Sequence, residues 1–180
     1  MIPIVQNNSS ILRDTTKLVN NFNSVELNNI ITQMAEAMFQ EPDGIGIAAP
    51  QIGVSLQIFL VASDVLSPAL LDKRINKNNG KGAQTKKISE NEYLVFINAS
   101  FKKLSVKKGN DVEGCLSVRG YYGEVSRSEK VIIEYYDKTG KKHQRGASGL
   151  FARVLQHEMD HLCGILFIDK AKNISKVSST

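Results

Sequence analysis

Apolar residues recur at helical spacing in one early stretch, where Leu27, Ile30, Ile31, Met34 and Met38 fall on a single face between Val25 and Gln40. Asn23, with Glu26 after it, supplies an N-terminal signal, and Pro42-Asp43-Gly44 ends the element. A glycine-rich turn, GIGIAAPQIG, follows. Leu56 to Ala62 is then a continuous apolar run that predicts a buried strand. Tyr93 to Asn98 (YLVFIN) and Lys130 to Asp137 (KVIIEYYD) predict two more, and a Lys138-Thr139-Gly140 turn leads the second into residues 141–145 as a hairpin. Further on, Leu150, Val154, His157 and His161 share one face of a helix that starts at Ser148 and ends with Gly164 as its C-terminal glycine. Ile165 to Ile168 reads as a short apolar strand.

Two segments break this pattern. Residues 64–92 contain Asn78-Asn79-Gly80-Lys81-Gly82 and the cluster Lys73, Arg74, Lys77, Lys81, Lys86 and Lys87, so they read as an exposed loop inserted at the surface. Residues 170–180 read as a polar tail, which leaves 1–169 as a single domain. Strands set before and between two helices, without strand–helix alternation, predict an α+β fold with antiparallel sheet.

Composition changes this picture little. The chain has 180 residues, 42% hydrophobic and 23% charged, which suits a globular domain and excludes disorder, a collagen repeat or a disulfide scaffold for its bulk. No apolar run is long enough to cross a bilayer, and MIPIVQNNSS lacks the basic start and apolar stretch of a signal peptide. The expectation is a cytoplasmic protein with no membrane contact. The net charge of +5 is placed mostly in the loop and tail, where it reads as solvated charge with a weak attraction to RNA. Without tryptophan, or a basic helix interleaved with aromatics, dedicated DNA binding is not expected.

The chemistry concentrates in three stretches. His157-Glu158-Met159-Asp160-His161 sets two of the chain's three histidines one helical turn apart, so both rings can reach one ion. The glutamate can then face water at that ion and act as its base. Two core histidines in a chance HExxH are the alternative. The sequence after His161 holds no histidine or glutamate, so the third ligand is sought upstream, and Cys115 in EGCLS is the obvious donor. A thiolate with two imidazoles leaves a fourth position open, as catalytic sites do; a small buried hydrophobe is the alternative for Cys115. Cys163, beside the glycine that ends the helix, is expected to point away. In GIGIAAPQ the small residues allow close approach of a peptide backbone, and Gln51 can offer an amide N–H to a developing oxyanion. Taken alone, that stretch equally fits a plain tight turn.

Together and in this order, GIGIAAPQ, EGCLS and QHEMDH followed by Leu162 and Gly164 resemble the peptide deformylases. The flanks IPIV, Ile11-Leu12-Arg13 and GILFID resemble them too. The resemblance implies antiparallel sheets packed around a central metal-binding HExxH helix. It implies a hydrolase that removes the formyl group from the N-terminal formylmethionine of new proteins and releases formate. It further implies one divalent ion per chain, with Fe(II) native and zinc, nickel or cobalt accepted, held by Cys115, His157 and His161. Glu158 would be the general base and acid as metal-bound water attacks the formyl carbonyl. Gln51 and the backbone N–H of Leu116 would hold the oxyanion. Gly46 would bind substrate backbone, and Ile45, Leu116, Leu150 and Val154 would line the methionine pocket. Arg127 would pair with Asp160. The implied partners are N-formylmethionyl nascent polypeptides and, transiently, the ribosome, although the tail lacks the long C-terminal helix that some members use there. Asn98-Ala99 and Arg119-Gly120-Tyr121 depart from the prolines that the family commonly has at these places. A zinc endopeptidase and a catalytically silent, metal-stabilised binding module are the competing readings. The first lacks a downstream ligand, and the second would not be expected to keep Glu158 and Gln51.

Overall fold

The computed structural model describes residues 2–78 and 88–177. Helix α1 spans Val25–Gln40 and buries the predicted apolar face. Its N-cap is Ser24 rather than Asn23. The Ser24 hydroxyl accepts the Leu27 N–H at 3.0 Å, one of the donors that a helix start leaves without an intrahelical partner. The strands are β1 (Gly46–Ala48), β2 (Ile58–Ala62), β3 (Tyr93–Leu104), β4 (Lys108–Glu113), β5 (Tyr121–Ser128), β6 (Lys130–Tyr136), β7 (Lys142–Ser148) and β8 (Lys172–Lys176). They form a five-stranded sheet ordered β1-β2-β3-β6-β7 and a three-stranded sheet ordered β4-β5-β8, with every pair antiparallel. The fold is α+β, as expected.

Helix α2 covers Pro68–Asn78 and α3 covers Gly149–Leu162. Helix α3 contacts β1, β2, β6 and β7 of the larger sheet and β5 of the smaller one, so its functional face lies where the two sheets meet. Ser148 stands at its N-cap, and Gly164 follows its end in the left-handed region at φ 72°. The main core packs α1 and α3 on the larger sheet. A smaller cluster of Leu12, Val118, Val125, Leu166 and Phe167 closes the other side. Among the described residues no helix is long and apolar enough to cross a membrane.

Four local expectations change. GIGIAAPQ is not a plain turn: Gly46–Ala48 within it is strand β1, wholly buried, and Ala49–Ile52 forms a 3-10 turn. The segment 64–92 is not all loop, for it contains α2. Pro68 sits at the first helical position, where its missing N–H costs nothing, and Leu71 supplies a buried contact. Residues 79–87, with the lysine cluster's second half, lie outside the described residues. Ile165 to Ile168 is not a strand; Phe167–Asp169 is a 3-10 turn in which Asp169 Oδ2 accepts the Leu166 N–H at 2.8 Å. Within the polar tail, Lys172–Lys176 pairs with β5 as β8, an exposed edge held by main-chain bonds rather than by apolar burial.

Candidate active site

Helix α3 carries His157 and His161 on its inner face with ring centroids 5.0 Å apart. Cys115 lies just beyond β4, and its Sγ comes within 3.3 Å of His161 Nε2. One ligand atom from each of the three residues lies within 4.8 Å of the others. The sequence-predicted triad is therefore assembled in space, while Cys163 is exposed and outside it.

The donor set suits a metal ion. A sulfur and two imidazoles are soft to borderline donors that first-row transition metals accept. His157 Nδ1 meets Glu113 Oε2 at 3.0 Å, which fixes the ring and leaves Nε2 for the shared site. The buried Glu158 Oε2, which has no hydrogen-bond partner among the described residues, lies on the same cleft.

Glu113 opens the EGCLS stretch, where the sequence alone assigns it no role. It is 6% exposed and accepts from Arg127 Nε at 2.9 Å, Arg127 Nη2 at 2.8 Å and Arg153 Nη1 at 2.8 Å. Arg127 reaches on to Asp160, which also takes Lys170 Nζ at 2.6 Å. Arg127 and Asp160 are thus paired, as the motif resemblance implied, but inside a larger network. Burial works against ionisation of Glu113, yet its bonds to Arg127 and His157 hold its carboxyl well below the usual range.

The same surroundings treat their neighbours differently. Burial opposes the charge on His157, but contacts with Cys115 and Glu113 outweigh it and raise its proton affinity well above the ordinary histidine value. His161 is pushed well below, by burial first and then by the positive His157 and Arg127. Glu158 is raised to about 7, chiefly by burial, with the Glu113 charge adding to it. A carboxyl so poised near neutrality can both take and return a proton.

Gln51 is 1% exposed and its amide is held at both ends. Oε1 accepts the Ala48 N–H at 2.8 Å; Nε2 donates to Ser117 Oγ at 3.1 Å and faces Cys115 Sγ at 3.6 Å. Its donor edge is thereby turned toward the cluster of Cys115, His157 and His161. A cleft of about 180 Å³ is lined by Ile45, Gly46, Leu116, Leu150, Val154 and Glu158, among others. These sequence-predicted residues do share one cavity, although Leu150 stands at its rim, 40% exposed.

Gly46 is needed here for space. A Cβ on it would lie 2.3 Å from Glu158 Oε1 and 3.0 Å from Val154 Cγ1. Gly46→Ala is expected to displace the Glu158 carboxyl, and a misplacement near 1 Å lowers turnover about 100-fold. Turnover measured together with metal content checks this: unchanged kcat would show that the carboxyl tolerates the shift.

Chain-wide comparison with known proteins agrees with the cleft. The sequence profile described as Polypeptide deformylase matches residues 1–177. A peptide deformylase of Roseiflexus castenholzii is 37% identical over 154 residues, covering 85% of this chain and 77% of that one. A peptide deformylase structure from Plasmodium falciparum superposes with a TM-score of 0.78 at 36% identity, covering 94% of this chain and 86% of its own. One from Synechococcus elongatus, in complex with actinonin, gives 0.75 at 32% identity, with 96% and 79% covered.

Proposed function

The chain belongs to the polypeptide deformylase family, and from that premise we propose how its residues divide the work of removing the N-formyl group from new proteins. It is a metal-dependent hydrolase whose substrates are formylated nascent polypeptides. The observation that carries the residue assignment is the convergence of Cys115, His157 and His161 beside a buried carboxyl poised near neutrality. Cys115, His157 and His161 hold the ion, which when bound supplies a Lewis acid and an activated water.

The chain's own groups do the rest. Glu158 takes a proton from the attacking water and returns it to the leaving amine. Gln51 Nε2 and the Leu116 N–H hold the charge that develops on the formyl oxygen. Main-chain groups of Gly46, on the unpaired side of β1, bind substrate backbone, and Ile45, Leu116, Leu150 and Val154 surround the methionine side chain. Glu113, Arg127 and Asp160 keep α3 and His157 in register. The catalytic unit is residues 1–177, with 64–92 inserted into it and β8 closing the edge of its smaller sheet.

Fe(II) is the native ion in this proposal, with nickel, cobalt or zinc accepted, since the thiolate–imidazole set leaves the choice to availability. Iron-loaded protein is then expected to lose activity in air as iron and Cys115 oxidise, while nickel-loaded protein survives, with Cys163→Ala behaving as wild type. Equal lifetimes for the two metals would remove the Fe(II) assignment. We also place the enzyme in the cytoplasm with a transient ribosome contact, supported by the origin of its substrate and the net charge of +5.

The deciding experiment incubates anaerobically prepared protein with formyl-Met-Ala-Ser and with an unformylated peptide. Formate release from the first alone supports deformylation. Internal cleavage would favour an endopeptidase, and no reaction a binding module. Gln51→Ala is expected to lower kcat about 10²–10³-fold with little change in KM. A change confined to KM would make Gln51 a ground-state contact.

A further inference from the structure

Helix α2 lies in the 64–92 segment, to which nothing above assigns a task. One of its side chains reaches the substrate side of the molecule. The Arg74 guanidinium, 17% exposed, donates from Nη1 to the main-chain carbonyl of Gly44 at 2.8 Å, and its Nε lies 2.5 Å from Asp64 Oδ2. Its Cζ stands 5.4 Å over the Phe39 ring, near the end of α1. Gly44 directly precedes Ile45 and Gly46, both of which line the cleft, and Gly46 opens β1, which among the described residues is an edge strand paired only with β2.

We infer that Arg74 is a positioning residue for deformylation: by holding the Gly44 carbonyl it fixes the free edge of β1 along which substrate backbone binds. This rests on the deformylase reading. The rigid guanidinium plane donates to the Gly44 carbonyl from Nη1 while Asp64 lies beside Nε as an ion-pair partner, a fixed arrangement that an ammonium on a flexible stem holds less well. Asp64 balances its charge in a mostly buried place, so the bond to Gly44 does not leave an uncompensated cation. The main chain on either side is already tied, with the Gly44 N–H on Glu41 O at 3.1 Å and the Ala62 N–H on Ile45 O at 2.9 Å. Between these two ties lie the Ile45 N–H and the Gly44 carbonyl, and Arg74 fixes the carbonyl. Glu158 is held separately by α3. Losing Arg74 therefore loosens the backbone that receives substrate more than the groups that carry charge in the reaction.

The test compares Arg74→Ala, Arg74→Lys and the exposed same-helix control Lys73→Ala. Each is assayed with formyl-Met-Ala-Ser well below its unfolding temperature, and hydrogen exchange is followed over residues 44–48. Loss of a charge-assisted bond is expected to raise KM about tenfold in Arg74→Ala, with kcat within about twofold of wild type. Exchange at 45–48 should quicken, Arg74→Lys should show a smaller rise in KM, and Lys73→Ala should show none. Unchanged KM in Arg74→Ala, a loss confined to kcat, or the same change in Lys73→Ala would overturn this role. Should Arg74→Ala fail to fold, Arg74→Lys decides: a wild-type KM overturns the role, and a raised KM with near-normal kcat supports it. Wild-type protein that releases no formate would sink the deformylase reading itself, whereas active wild type with an indifferent Arg74 sinks this role alone.

Discussion

Glu158→Gln is expected to lower turnover by about 10²–10⁴-fold, the usual contribution of a general acid–base group. The amide keeps the shape of the carboxyl but cannot take a proton from water or return it to the amine. Cys115, His157 and His161 are untouched, so metal content should be that of wild type. Near-normal turnover with a full complement of metal would rule out Glu158 as the base.

The same substitution has a second, opposite consequence in metal-free protein. Glu158 stands at about 7 in the folded chain against 4.5 for the free group, with burial as the main cause. A carboxyl raised in this way binds its proton more tightly when folded. Its contribution to stability is complete below pH 4.5 and is lost as pH rises through about 7. Glutamine does not titrate and so escapes the loss. Metal-free Glu158→Gln should match wild type in acid and exceed it by about 3 kcal/mol at pH 8. Urea midpoints across this range test the point, and a gap that does not change with pH would contradict it. Activity would thus fall and apo stability rise in one variant, the trade expected when a functional group is buried against its preference.

The parts of the fold that were legible in the sequence are those whose inward positions are apolar. Helix α1 has Leu27, Ile30, Ile31, Met34 and Met38 inside, strand β2 is buried along its whole length, and the β6–β7 hairpin carries its own turn. Strands β4 and β5 were not legible because Glu113, Gly123 and Arg127 occupy buried positions where a periodicity argument looks for Val or Ile. Helix α2 was hidden by its polarity: Leu71 is buried, but Leu70 is 55% exposed and Arg74 is spent on Asp64 and Gly44. At the site, the HExxH histidines lie one turn apart in sequence and announce themselves. Glu113 does not, because its partners Arg127, Arg153 and His157 lie 14, 40 and 44 residues away. A glutamate two residues before Cys115, in a segment otherwise free to be strand, was the available signal. Alternation puts residues 113 and 115 on one side of an extended chain.

Glu113 is also where the largest loss of stability is expected. Glu113→Gln preserves size but removes the anion shared by Arg127 and Arg153, leaving Arg127, 5% exposed, with Asp160 alone. Removing one partner of a buried ion pair costs about 3–5 kcal/mol, because the remaining charge stays out of water. The ring of His157 loses its anchor at Nδ1 as well, and loss of such an orienting group weakens metal binding about 10–100-fold. The pH dependence runs opposite to that of Glu158. Glu113 is held below its ordinary range when folded, so it stabilises above its unfolded value of 4.5 and that contribution is lost as pH falls. The deficit of Glu113→Gln relative to wild type should therefore be full at pH 8 and shrink in strong acid. Adding Arg127→Met to Glu113→Gln removes the stranded cation and should recover part of the stability. Denaturation of the two single variants and the double variant measures that coupling. Strictly additive losses would mean that Glu113 and Arg127 act independently, and that this pair does not tie β4 to β5.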